Sequence, residues 1–231
     1  MLKNNDPTLQ KKVLKIVIIR LSSGILFLGG LFFLSAGTFA YWEAWAYLAV
    51  LFVPMTFVLI YFLKNDPELL ERRMRFKEKE KKQKLVQSLA SFYFLASYLL
   101  PGLDKRFGWS HPPDAAVVTA LILVLAGYTL FFFVLKENSY ASRIVEVEED
   151  QKVIYTGPYS YVRHPMYSGV SVMYIFSPLA LGSYWAMIPT VLLPIFLGIR
   201  IRDEEKILLK ELKGYREYKE KVKYRMIPGL W

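Results

Sequence analysis

Five stretches of this chain contain no Asp, Glu, Lys or Arg: residues 21–42, 44–63, 85–103, 115–135 and 165–199. A helix needs roughly 20 apolar residues, rising 1.5 Å each, to cross a hydrocarbon core about 30 Å thick. Four runs have about that length, and the fifth is close to twice it. The charges, +10 net over 231 residues, are confined to the segments between these runs. This pattern predicts an all-α, polytopic helical membrane protein. It excludes intrinsic disorder, a disulfide-stapled secreted fold and a soluble nucleic-acid-binding domain as readings of the whole chain. The chain has no Cys, hence no disulfide, thiolate nucleophile or Cys-ligated metal. The first run is far longer than the apolar region of a signal peptide and reads as a membrane helix.

Basic residues in short loops mark the cytoplasmic side. Segments 1–20, 64–84, 136–164 and 200–231 hold five, nine, four and ten of the 30 Lys and Arg. The opposite side, around residue 43 and over 104–114, holds only Lys105 and Arg106. This asymmetry requires alternating crossings, so 165–199 must go out and return. The expectation is a hairpin turning near Leu181-Gly182-Ser183, with arms of about 17 residues by the helical rise, interrupted by Pro178, Pro189 and Pro194. About six membrane helices follow, with both termini and the site cytoplasmic. The chain divides into a membrane-helix region, 1–135, and a catalytic region, 136–231. Segment 64–84 reads as a solvated, basic helix touching anionic headgroups, and it lacks the aromatic interleaving of a nucleic-acid surface. Gly29, Gly30 and Gly127 read as close helix-packing positions.

Polar information concentrates after residue 150. Thr156-Gly157-Pro158-Tyr159 is turn chemistry, and Pro165 suits the first turn of a helix. Arg163, His164 and Tyr167 therefore stand where the first hairpin arm begins. Arg200, Glu204 and Glu205 stand where the second ends. An antiparallel hairpin brings these ends together into one small interfacial pocket. Arg200 and Glu204, four apart, share a helix face. Tyr161 is assigned to the interfacial aromatic belt, and Arg202 and Asp203 to a snorkelling cation and a helix-end charge. Two His and scattered carboxylates supply no metal site.

The run Gly157-Pro158-Tyr159-x-x-x-Arg163-His164-Pro165-x-Tyr167-x-Gly169, followed by Glu204-Glu205, resembles the isoprenylcysteine carboxyl methyltransferase and phospholipid methyltransferase family in its prokaryotic-type form. The likeness covers roughly 136–228, including Tyr215-x-x-Tyr218 and Tyr224-Arg-Met-Ile-Pro-Gly229. It implies S-adenosylmethionine bound at the cytoplasmic ends of the helices, in a prokaryotic inner membrane, and a lipid or lipophilic small-molecule acceptor. Carried over by position, Tyr159, His164, Tyr167 and Glu204 would line the cofactor pocket. Val153 and Ile154 would border the adenine, and Gln151 stands where many relatives have His. Arg200 would lie nearer the acceptor. Glu204 would offset the cofactor ammonium, and His164 with Arg163 would hold its carboxylate. A carboxylate acceptor needs no base, whereas for an amine acceptor Glu205 is the nearest candidate. Two other readings remain at this level. One is an NADPH-dependent membrane reductase of the sterol-reductase type, using Arg200 and Arg202 for a 2′-phosphate. The other is a non-enzymatic membrane protein retaining the fold.

Overall fold

The computed structural model describes residues 7–73, 81–141, 147 and 150–231; for Pro7, residues 81–90 and Phe92 only the backbone is described. The order is α1 (Pro7–Ala36), α2 (Trp42–Asn65), α3 (Pro67–Arg73), α4 (Lys81–Phe107), α5 (Asp114–Glu137), α6 (Pro165–Ala180), α7 (Leu193–Glu211) and α8 (Tyr215–Lys221). Two 3₁₀ segments, Gly157–Ser160 and Trp185–Leu192, precede α6 and α7. The described residues contain no strand. Among the described residues, four segments are long and apolar enough to cross a membrane: Thr8–Ala36, Trp42–Asn65, Asp114–Glu137 and Trp185–Glu211. With α4 and the 16-residue α6 they make six long helical segments. Residues 74–80, the centre of the basic segment, lie outside the described residues.

The surface is inverted relative to a water-soluble domain. Leu26, Leu34 and Val53 are 76%, 80% and 69% exposed, so apolar side chains face the lipid side. Polar contacts hold helices together inside. The Tyr47 hydroxyl lies 2.7 Å from both the Tyr98 hydroxyl and Ser177 Oγ, joining α2, α4 and α6. Helices α5 and α6 approach most closely where two glycines meet. A Cβ on Gly127 would lie 2.7 Å from the Gly169 carbonyl oxygen, so neither position has room for a side chain. Gly29 differs from the packing role expected of it, since nothing lies within 4 Å of a Cβ placed there, and at Gly30 such an atom meets only Leu34 at 4.0 Å.

The hairpin turns at Leu181-Gly182-Ser183, where Gly182 takes φ +76°. Its arms are not alike. The first is one helix. The second begins as 3₁₀ around Pro189, and α7 starts beside Pro194 and runs on to Glu211. A proline tolerated in a first helical turn cannot continue the hydrogen-bond ladder behind it. The turn is fastened to the ends of α2 and α4: the Tyr41 hydroxyl donates to the Leu181 carbonyl at 2.6 Å, and Ser183 Oγ donates to the buried Asp104. The opposite end of the bundle gathers the ends of α3 and α5 and the start of α6. There Arg72 Nη2 donates to the Ser139 carbonyl at 2.7 Å, and Arg73 Nη1 lies 3.6 Å from Met166 Sδ. The connections thus alternate between two ends, as an out-and-back hairpin demands.

Candidate active site

The segment 157–164 positions the first half of the site. The 3₁₀ turn at Gly157–Ser160 buries Tyr159, whose hydroxyl accepts from Asn138 Nδ2 at 2.9 Å, at the end of α5. The Tyr218 hydroxyl of α8 donates to the Tyr159 carbonyl at 2.8 Å. Burial pushes the Tyr159 phenol up to about 12, against the opposing pull of the Asn138 hydrogen bond, so it stays neutral at physiological pH. His164 then caps α6 with Pro165 in the first turn.

Helix α7 supplies the second half, and its periodicity separates two adjacent acids. Successive helical residues point about 100° apart. Glu204, with its side chain 27% exposed, accepts from the Tyr167 hydroxyl at 2.7 Å. Arg200 lies one turn earlier on that face and donates from Nε to the same hydroxyl at 2.9 Å. Glu205 is turned away, its side chain 4% exposed. Its Oε1 accepts from Arg163 Nε at 2.7 Å and its Oε2 from Arg225 Nε at 3.2 Å. His164 sits between the acids, with Nδ1 4.0 Å from Glu204 Oε1 and Nε2 3.4 Å from Glu205 Oε1.

These groups border a small, open-mouthed cavity of about 110 Å³. Gln151, Val153, Ile154, Tyr159, Arg163, His164, Tyr167, Arg200 and Glu204 all line it. The one expected site residue that does not is Glu205. Glu205, expected as a base for an amine acceptor, instead stands behind the cavity wall with a guanidinium group on each oxygen. Arg163 also sits differently from a cofactor-carboxylate clamp. Besides Glu205, its Nη1 donates to the Val222 and Lys223 carbonyls at 2.6 and 2.7 Å. Arg202 borders a separate apolar groove formed by α6, α7 and residues 226–231. Tyr161 is 72% exposed, consistent with a belt position.

Sequence reasoning missed several wall residues. Ile207, Leu208 and Leu212 continue the Glu204 face of α7, which i, i+3, i+4 spacing could have shown. Tyr215 and Tyr218 reach the cavity from α8, and their Tyr-x-x-Tyr spacing was the available signal. The Tyr215 hydroxyl and His164 Nε2 are buried and have no hydrogen-bond partner among the described residues. Burial, and then the nearby Glu205 and Glu204, push the Tyr215 phenol up, so it keeps its proton.

The cavity combines Glu204 and Arg200 with the apolar side chains of Val153, Ile154, Leu208 and Leu212. This suits a ligand with a cationic end and a flat, mostly apolar ring. No group of three or more His, Cys, Asp or Glu among the described residues could hold a metal. Fold and site together define a helical membrane protein with a polar ligand cavity at one end of its bundle. Residues 118–210 match the model of the isoprenylcysteine carboxyl methyltransferase (ICMT) family. The protein-S-isoprenylcysteine O-methyltransferase of Saccharomyces cerevisiae is 34% identical over 137 residues, which is 54% of this chain and 54% of the yeast protein. The chain thus aligns with about half the length of that curated relative. A solved structure of the eukaryotic intramembrane Ras methyltransferase ICMT has a TM-score of 0.48 at 16% identity, covering 98% of this chain and 95% of that one.

Proposed function

We propose that this protein transfers a methyl group from S-adenosylmethionine to the carboxylate of a lipophilic acceptor at the cytoplasmic membrane interface. The observation that carries this reading is the Arg200–Tyr167–Glu204 chain of hydrogen bonds on the cavity wall, beside His164 and an apolar patch. Glu204 holds the ammonium of the cofactor's amino-acid end, and Val153, Ile154 and Leu208 flank its adenine. Tyr215 and His164 line the cavity beside the same molecule. Gln151 also lines the wall near Val153 and Ile154. The cofactor supplies a methyl carrying a sulfonium leaving group; an acceptor oxygen bonds to that carbon as the carbon–sulfur bond breaks, its electron pair staying on sulfur.

The chain's own part is orientation. A displacement gains most from aligning its reacting atoms. Arg200 shares a face with Glu204 and reaches the acceptor's carboxylate, its planar fork suited to that group. Tyr167 fixes Arg200 and Glu204 relative to each other. Glu205 is already bound to two arginines, so no second acid is left to deprotonate an amine. An acceptor that arrives ionised needs none, which favours a carboxylate. The yeast relative's name specifies an O-methyltransferase of isoprenylcysteine. The reductase reading loses support from Arg202, which borders the other groove and not the cavity.

The excess of basic residues in segments 1–20, 64–84, 136–164 and 200–231, 28 of 30, supports a cytoplasmic site with both termini on that side. Reporter fusions at residues 78 and 231 should behave alike, and one at 108 oppositely. The deciding experiment measures S-adenosylmethionine and NADPH binding by purified protein in detergent. Methyl transfer is then followed to a prenylated cysteine with a free carboxylate and to its amide. Binding of S-adenosylmethionine and methylation of the acid alone are expected; NADPH binding, or equal methylation of the amide, would overturn the reading.

A further inference from the structure

We infer that Arg225, in the segment following α8, is a positioning residue: it holds Glu205 and through it sets the place of His164 on the cavity wall. The inference rests on the cofactor reading for its consequence but not for its geometry. Residues 222–226 run back along the start of α6. The Arg163 N–H donates to the Tyr224 carbonyl at 2.9 Å and the His164 N–H to the Arg225 carbonyl at 2.8 Å. Ser168 Oγ donates to the Met226 carbonyl at 2.7 Å. Amides at a helix start have no partner within their own helix. Here the amides entering α6 find their acceptors some sixty residues later in the chain.

The side-chain arrangement is more specific than the backbone one. Glu205 is buried with a cation on each oxygen, Arg163 on Oε1 and Arg225 on Oε2. Two oxygens so held fix the plane of the carboxylate. His164 Nε2 faces Oε1 at 3.4 Å, and Glu204 approaches its other nitrogen at 4.0 Å. Arg225 itself is clamped: its guanidinium carbon lies 5.3 Å from the centre of the Trp231 ring. Its N–H donates to the Trp231 carbonyl at 2.8 Å. Without Arg225, Oε2 loses its cation. The carboxylate is then free to rotate toward Arg163, and His164 loses the surface it packs against. The Arg225 side chain is absent from the cavity wall and meets Glu205, so its influence on the cavity passes through that carboxylate, while its backbone carbonyl, unchanged by substitution, holds the His164 N–H.

The chain contains two histidines, His111 and His164, which permits a test that does not depend on the cofactor. His111 belongs to the opposite end of the bundle, beside Gly108, and serves as an internal control. Histidine-labelled protein in detergent gives two imidazole signals, assigned by His164→Ala. In Arg225→Gln the His164 signal should move while the His111 signal stays, and Arg225→Lys should restore most of its position. S-adenosylmethionine affinity should fall about tenfold in Arg225→Gln, the scale of one charge-assisted hydrogen bond. In a His164→Ala background the same substitution should cause no further loss, because two changes acting through one path are not additive. An unmoved His164 signal in Arg225→Gln, or a full additional loss in the His164→Ala background, overturns the inference. If Arg225→Gln disturbs both signals, Arg225→Lys is read instead, and a His164 signal as far displaced as in an unfolded chain also overturns it. A wild-type protein that fails to bind S-adenosylmethionine defeats the proposed function, and the histidine spectrum then decides Arg225 alone.

Discussion

Glu204 and Glu205 are adjacent in the chain and serve different faces of one helix, about 100° apart. Glu204 meets Tyr167 on the cavity wall at 2.7 Å, whereas Glu205 is buried between Arg163 and Arg225. On the proposed reading, the pair separates ligand binding from the scaffold that holds the ligand site.

Substituting each acid should therefore produce different failures. Glu204→Gln should weaken S-adenosylmethionine binding by about 1.5–3 kcal/mol, the value of a charged hydrogen bond, with melting temperature nearly unchanged. Glu205→Gln leaves two guanidinium groups facing a neutral amide and should cost about 3–5 kcal/mol of stability, as breaking buried ion pairs does. Calorimetric binding and thermal melting on the same preparations separate the two. Matching profiles for both variants would show that the division of labour is wrong.

Arg200→Lys tests the acceptor side. Both side chains reach the interface, so a mere topological anchor would tolerate the change. Lysine lacks the planar fork, however, and its ammonium does not reproduce the Nε bond to the Tyr167 hydroxyl. Turnover or acceptor KM should suffer about tenfold or more, the scale of one charge-assisted hydrogen bond, while cofactor affinity holds. Normal methyl transfer would return Arg200 to anchoring.

The glycines make a stability contrast. Gly127→Ala forces a methyl to within 2.7 Å of the Gly169 carbonyl oxygen, so α5 and α6 must part. Overpacking of this kind costs about 1–3 kcal/mol, which thermal melting in detergent resolves. Gly29→Ala meets nothing within 4 Å and should be neutral or stabilising, since alanine is the better helix former. Equal effects at the two sites would contradict the close α5–α6 contact.

Tyr159 supplies a pH dependence with a defined sign. Its phenol is pushed up to about 12 in the folded protein, against an ordinary value of about 10. The folded state therefore binds this proton more tightly than the unfolded state. The resulting stability is complete below about pH 10 and disappears as pH rises toward 12. Wild type should lose melting temperature between pH 9.5 and 11.5 more steeply than Tyr159→Phe, on the scale set by one shifted phenol. Parallel curves would mean that the phenol is not shifted.

Much of the architecture was legible because it follows from local chemistry. Charge-free runs of fixed length specify membrane helices, and Gly182 at the middle of the double-length run specifies the hairpin turn. Pro165 marks the start of α6 as expected. The unequal second arm was less legible: Pro189 and Pro194 were visible, but whether a proline bends a helix or replaces a turn of it by 3₁₀ depends on what packs beside it. Gly29 and Gly127 look alike in sequence, and only the neighbouring helix tells them apart.

For the site, the chain by itself determined which residue types would meet, since a hairpin must bring residues 163–167 beside 200–205. It could not determine which of two neighbouring carboxylates faces the ligand. That choice belongs to the rotation of α7 about its axis, set by packing against α6 and by the return of residues 222–226 to residues 163–168. The decisive partner of Glu205 lies twenty residues away in an apparently generic basic tail. Local periodicity reads faces and turns, whereas the pairing of a buried charge is settled by desolvation. A carboxylate taken out of water needs cations wherever the fold can bring them, and only the tertiary structure selects Arg163 and Arg225.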